Sequence, residues 1–232
     1  FFQYIDEHLG GPETIRDCWE RSNENATYIG DRSYLSIDEA LNNQNSSIKD
    51  AFNRMRIANR IMSSNINAGI YTYEEAEAYP VEVPEIKEYI NYNRGDYENY
   101  SNSELYFFSS HYIELETDSP IVITINNDSG PSSDLSLFTI VKYDNKKRWS
   151  IRTNNEINID PIVGVDYISL IISATGDNQN NWDYSLNIRD GQREDFSFYL
   201  PYPNPGNPKN PINIELQVLE PQNISIKIFN IF

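Results

Sequence analysis

Between residues 111 and 188 the hydrophobic period is two, not 3.6, and no helical pattern interrupts it. The runs HYIELE, IVITI, DLSLFTIVKY, RWSIRT, EINID, YISLIISA and WDYSLNI are rich in Ile, Val, Tyr and Thr and are separated by Asn, Asp, Gly and Ser. Their spacing of roughly ten residues is that of successive strands joined by turns. In the last run Trp182, Tyr184, Leu186 and Ile188 share one side, and Asp183, Ser185 and Asn187 the other. Strands in that number without intervening helices predict an antiparallel β-sandwich over 104–190.

Residues 1–80 carry the other period. Phe2, Ile5 and Leu9 recur at helical spacing up to Gly10-Gly11, where glycine can take a left-handed cap. Pro12 suits the first turn of a second helix with Ile15, Cys18 and Trp19 as its apolar stripe, so the two should form a hairpin. Ser36 to Glu39 fits a capping box, and Ser47 fits the cap of a helix whose Ile48, Ala51, Phe52, Met55 and Met62 share a face. YEEAEAYP predicts a short helix ending at Tyr79, because the residue before proline is driven out of the α region. Residues 81–103, with Pro84 and NYNRGDYENYSNS, read as a linker or crossing loop.

Lys+Arg 18 against Asp+Glu 35 leaves a net charge of -17, which repels phosphate backbones and argues against nucleic-acid binding. One cysteine, Cys18, excludes an internal disulfide, and no apolar run reaches the about 20 residues of a membrane span. Two histidines, His8 and His111, stand far apart without H-E-x-x-H, so neither a zinc peptidase centre nor a Ser-His-Asp arrangement can be assembled. His8 reads as a helix C-terminal residue, His111 as a partly buried strand residue beside Ile113 and Leu115, and Cys18 as core. The loops Asn126 to Asp134 and Thr175 to Asp183 offer oxygen donors for calcium but lack the spacing of a calcium loop, and read as Asn/Asp turns. Lys142 to Trp149 reads as a solvated basic hairpin tip, and Trp149 and Trp182 as core aromatics in preference to a sugar platform.

Prolines at 201, 203, 205, 208 and 211 fix φ and remove donors, so 191–211 predicts a stiff extended linker. Beyond it Ile212, Ile214, Leu216 and Val218 alternate, and Ile224, Ile226 and Ile228 do so again. The string from Tyr199 to Phe232 resembles the start of the C-terminal sorting domain of the type IX secretion system. Tyr202, Pro203, Asn204, Pro205, Asn207 and Pro208 match its opening motif, and Ile212, Leu219, Ile224, Ile226, Ile228, Phe229 and Asn230 follow its strands. Gly206 and Pro211 depart from it. FFQYIDEHLGGPETIRDCWER resembles the stretch after the zinc site of secreted gluzincin-type metallopeptidases, through Phe2, Tyr4, Ile5, Gly10, Ile15, Arg16, Trp19 and Glu20. Asp134, Leu135, Leu137 and then Tyr184, Leu186, Ile188 resemble the non-catalytic β-domains appended to secreted peptidases.

These readings predict an α+β multi-domain chain: a helical bundle at 1–80, a linker at 81–103, an antiparallel β-sandwich at 104–190, a proline-rich linker at 191–211, and the first strands of a second, sorting β-sandwich at 212–232. The opening at Phe1, with no leader, reads as mid-element, as in the C-terminal piece of something longer. The resemblances imply the non-catalytic C-terminal region of an exported, surface-associated zinc metallopeptidase. This piece would have no catalytic residues; zinc would belong to an upstream part, and the partners would be the secretion machinery and, through the parent enzyme, a protein substrate. The alternative is a cell-surface adhesion or carbohydrate-binding sandwich.

Overall fold

The computed structural model describes residues 1–25, 33–64, 69–80, 82–143, 148–153, 156–160, 165–176, 181–192, 196–198 and 216–218, with Asn223 and Ser225. Gly10 and Gly11 take φ of +91° and +70°, ending α1 (Phe2–His8) and turning the chain into α2 (Gly11–Asn25). Cys18 is buried as expected, but Trp19 is 64% exposed and stacks on Phe2 at 5.9 Å. Successive residues point about 100° apart on a helix, so Trp19 falls off the stripe that Cys18 holds.

The expected cap at Ser36 is corrected: α3 (Ser33–Asn42) already includes it, and Ser36 is fully buried. Tyr34, Ile37 and Leu41 pack into the bundle, and that burial holds an extra turn ahead of Ser36. Ser47 does cap α4 (Ile48–Ile61), its Oγ accepting from Asp50 N at 3.1 Å, and the helix ends with Met62 left-handed. Where YEEAEAYP predicted a short helix there is a single 3-10 turn, Ala76–Ala78. It ends at an extended Tyr79, as Pro80 requires.

All seven expected strands form, as β3 (Ser110–Glu116), β4 (Ile121–Asn127), β5 (Leu135–Tyr143), β6 (Arg148–Thr153), β7 (Glu156–Ile159), β8 (Val165–Ala174) and β9 (Asn181–Asp190). The segment 81–103, read as a linker or crossing loop, instead supplies β1 (Glu88–Asn91) and most of β2 (Glu98–Tyr106). Both are edge strands with mostly exposed side chains, which erases the alternation that marks a buried strand. One sheet has the order β1-β3-β8-β5-β6 and the other β2-β9-β4-β7. Every pairing in them is antiparallel except β1 with β3, which is parallel, so the sandwich is mixed at one edge.

The two sheets enclose one core, with Ile113, Leu137, Leu170, Ile172, Trp182 and Leu186 among its members. The expected inward row Trp182, Tyr184, Leu186 and Ile188 is fully buried. Ile57 and Ile61 of α4 pack on Tyr112, Phe138, Ile140 and Ile171 from the outer face of the five-stranded sheet. β8 is therefore covered on both sides, which explains why YISLIISA reads as a nearly continuous apolar run.

Within the segment expected to be a linker, β10 (Phe196–Phe198) pairs antiparallel with β11 (Leu216–Val218), which lies on the expected alternating strand. They form a two-stranded sheet of their own.

Candidate functional site

The ladder between β3 and β8 stops at the pair Leu115 and Ile168, while β3 continues beside β1 and β8 beside β5. Where the two strands part, a groove of about 680 Å³ opens. Tyr89, Tyr92, Glu116, Asp118, Asp166 and Tyr167 are among the residues lining it. Its rim is held by cations: Arg60 of α4 pairs with Glu114 and donates from Nε to Ser169 Oγ at 3.0 Å. The Arg60 guanidinium lies 4.7 Å from the centre of the Tyr167 ring, within cation–π range. Lys142 approaches the same ring at 5.7 Å and reaches Asp166 at 3.5 Å. Phenols and carboxylates equip this groove for holding a polyhydroxylated or cationic ligand.

The histidines are used elsewhere. His111, on the inner side of β3, is 3.0 Å from Tyr184 Oη through Nδ1. Burial, then nearby Lys87, pushes its pKa below the ordinary 6.5, so the ring is neutral at pH 7. His8, in the last turn of α1, meets Thr72 O at 2.7 Å through Nε2 and so ties α1 to the segment after α4. Burial, then Asp17, raises the pKa of Cys18, the wrong direction for a nucleophile.

The two loops with oxygen donors bond to each other where they are described, Thr175 N donating to Asp134 O at 3.0 Å and Asp183 N to Ser129 Oγ at 2.9 Å. Asn127 Oδ1 accepts from Ser129 N at 3.1 Å, an Asx turn, and Asp128 accepts from Ser185 Oγ. Asp134 turns inward, accepting from Trp182 Nε1 at 3.3 Å, which places Trp182 in the core and not on a sugar platform. No group of three His, Cys, Asp or Glu side chains that could hold a metal occurs among the described residues. Tyr202, Pro203, Asn204, Pro205, Asn207 and Pro208 lie outside the described residues, as does the side chain of Trp149. The groove escaped sequence reading because its walls come from strands that adjoin only after folding, Tyr89 and Tyr167 being on β1 and β8.

Among the described residues no helix is long and apolar enough to cross a membrane. No family model matches the chain, and no curated protein matches it. Among solved structures, PliG of Salmonella Typhimurium, a periplasmic inhibitor of g-type lysozyme, aligns at 9% identity and TM-score 0.30 over 45% of this chain and 99% of its own. The Yersinia pseudotuberculosis-derived mitogen aligns at 10% identity and TM-score 0.31 over 43% of this chain and 89% of its own. The pre-peptidase C-terminal domain of a Bacillus anthracis collagenase aligns at 13% identity and TM-score 0.29 over 46% of this chain and 99% of its own. At these values the likenesses say nothing of what this chain binds.

Proposed function

We propose that this chain is the non-catalytic C-terminal region of an exported, surface-associated zinc metallopeptidase, carrying the start of a type IX sorting module at 202–232. The observation that carries the non-catalytic part is the use of both histidines as structural ties, His8 to Thr72 O and His111 to Tyr184. The sorting part rests on the resemblance of Tyr202 to Pro208, and the peptidase parentage on that of Phe2 to Glu20. Zinc chemistry would then belong to a catalytic unit outside these residues.

Incubating the chain with zinc and casein should give no metal-dependent turnover. Coding sequence ahead of Phe1 should hold H-E-x-x-H within about a hundred residues. Turnover by the chain itself, or coding sequence there without that motif, would overturn the proposal.

A second reading, a carbohydrate-binding surface protein, is favoured by the groove with Tyr89, Tyr92 and Tyr167 among its carboxylates. Calorimetric titration with polysaccharides, with and without calcium, separates the two: affinity of about micromolar strength points to this second reading.

A further inference from the structure

Arg94, Gly95 and Asp96 form the tip of the turn by which the chain leaves β1 in one sheet and enters β2 in the other. Asp96 N donates to Asn93 O at 3.0 Å and closes a four-residue turn. Gly95, its third residue, has φ of +89°, which glycine adopts without steric cost. A Cβ built there would meet nothing within 4 Å, so the demand on this position is conformational and the space beside it is open.

The turn is fastened to the sandwich from beneath. Gly95 N donates to Asp190 Oδ1 at 3.0 Å, and the hydroxyl of the buried Tyr92 lies 2.7 Å from Asp96 O and 3.0 Å from the same Asp190 oxygen, its single proton shared between these two acceptors. The bonds from Gly95, then from Tyr92, hold the Asp190 carboxyl below its usual range, so this anchor is ionised at neutral pH. Above the anchor, Arg94, Asp96 and Tyr97 are all exposed. Asn93 bonds Asp96 Oδ2 through its backbone and side-chain nitrogens at 3.3 Å each, which orients the carboxylate. Oδ1 accepts no hydrogen bond among the described residues.

We propose that this turn is an adhesion loop read by a receptor that presents a bound divalent cation to Asp96 and an acidic pocket to Arg94, the chemistry of Arg-Gly-Asp recognition by integrin-class receptors. A hard cation takes a carboxylate oxygen, and a guanidinium is the cation best matched to a carboxylate-lined pocket. A turn already fixed by Gly95, Tyr92 and Asp190 loses little conformational freedom on binding, which is where short peptides of the same composition lose affinity. Tyr97, the residue after Asp96, is 65% exposed, with its hydroxyl donating to Asn187 Oδ1 of β9. The inference goes beyond the reading proposed above. Its use by an organism needs the chain outside the cell, but the binding step depends on neither export nor peptidase parentage.

The test is binding of the whole chain, immobilised, to a soluble Arg-Gly-Asp-reading integrin headpiece in manganese. Saturable binding should appear, vanish in EDTA and be displaced by a Gly-Arg-Gly-Asp-Ser peptide. Asp96→Glu keeps the charge but lengthens the arm, and should weaken binding by about tenfold or more. Arg94→Ala should do the same, and Tyr92→Phe, which leaves the tripeptide intact but removes an anchor, should weaken it by about threefold. Circular dichroism checks that each variant folds. Absence of binding, or binding indifferent to EDTA and to both tip substitutions, would overturn the proposal without touching the export or peptidase reading.

Discussion

The two faces of the five-stranded sheet are held in different ways. Its inner face meets the second sheet through aliphatic and aromatic side chains, with Trp182 of β9 fully enclosed and its indole N–H answered by Asp134. Its outer face meets α4 through fewer apolar residues and through polar ones: Arg60 on Glu114, Ser169 and Tyr167, and Tyr112 Oη on Arg56 O at 3.4 Å. Arg56 itself is buried over the Phe52 ring, and neither Nη has a hydrogen-bond partner among the described residues. Desolvation brings its pKa down to about 10, still well above neutral, so it keeps its charge. The inner contact is non-directional and scales with area, whereas the outer one depends on particular atoms meeting.

That contrast can be broken by experiment. The largest effect is expected at Trp182→Ala, which empties the inner core and strands Asp134: a loss of about 3–5 kcal/mol in guanidinium unfolding. A loss below about 1 kcal/mol would mean that the inner face does not carry the fold. Arg60→Met keeps much of the packed stem and removes the ion pair. Because Glu114 remains 29% exposed, the loss should be only about 1–2 kcal/mol, measured the same way. A loss equal to that of Trp182→Ala would erase the distinction between the faces.

The smallest effect is expected from pH, and it belongs to the inner face and its rim. His111 has a lowered pKa in the folded chain, so the unfolded chain binds more protons below 6.5, and stability should begin to fall as pH drops through that value. Asp190 is also lowered, from 3.8, so its contribution is complete above that value and is lost only as pH falls below it toward the folded pKa. Unfolding followed across pH should show the first decline disappear in His111→Gln and the second persist. A first decline unchanged in that variant would place its origin elsewhere.

How far the sequence reveals this arrangement follows from which contacts are local. Alternation located strands such as β9 because each buries one row of side chains, and short apolar runs located β5 and β8, which bury both rows; either pattern is carried within about ten residues. Both missed β1 because Tyr89, 70% exposed on an edge strand, has no buried row around it. The docking of α4 was hidden for another reason. Ile48, Ala51 and Met55 make one apolar stripe toward the bundle, and Ile57 and Ile61 make a second toward the sheet, interrupted by Arg56 and Arg60. Arg60 reads as a solvent-facing residue until Glu114 and Ser169 arrive from strands more than fifty positions away. The groove beside β3 has no local signature at all, since it exists only where two ladders diverge.

β8 carries two interleaved codes. Leu170 and Ile172 answer to the opposing sheet, while Ser169 and Ile171 answer to α4. Odd and even positions of one strand can therefore drift under separate pressures, so the helical layer could be exchanged over generations by rewriting every second letter while the sandwich beneath kept its own.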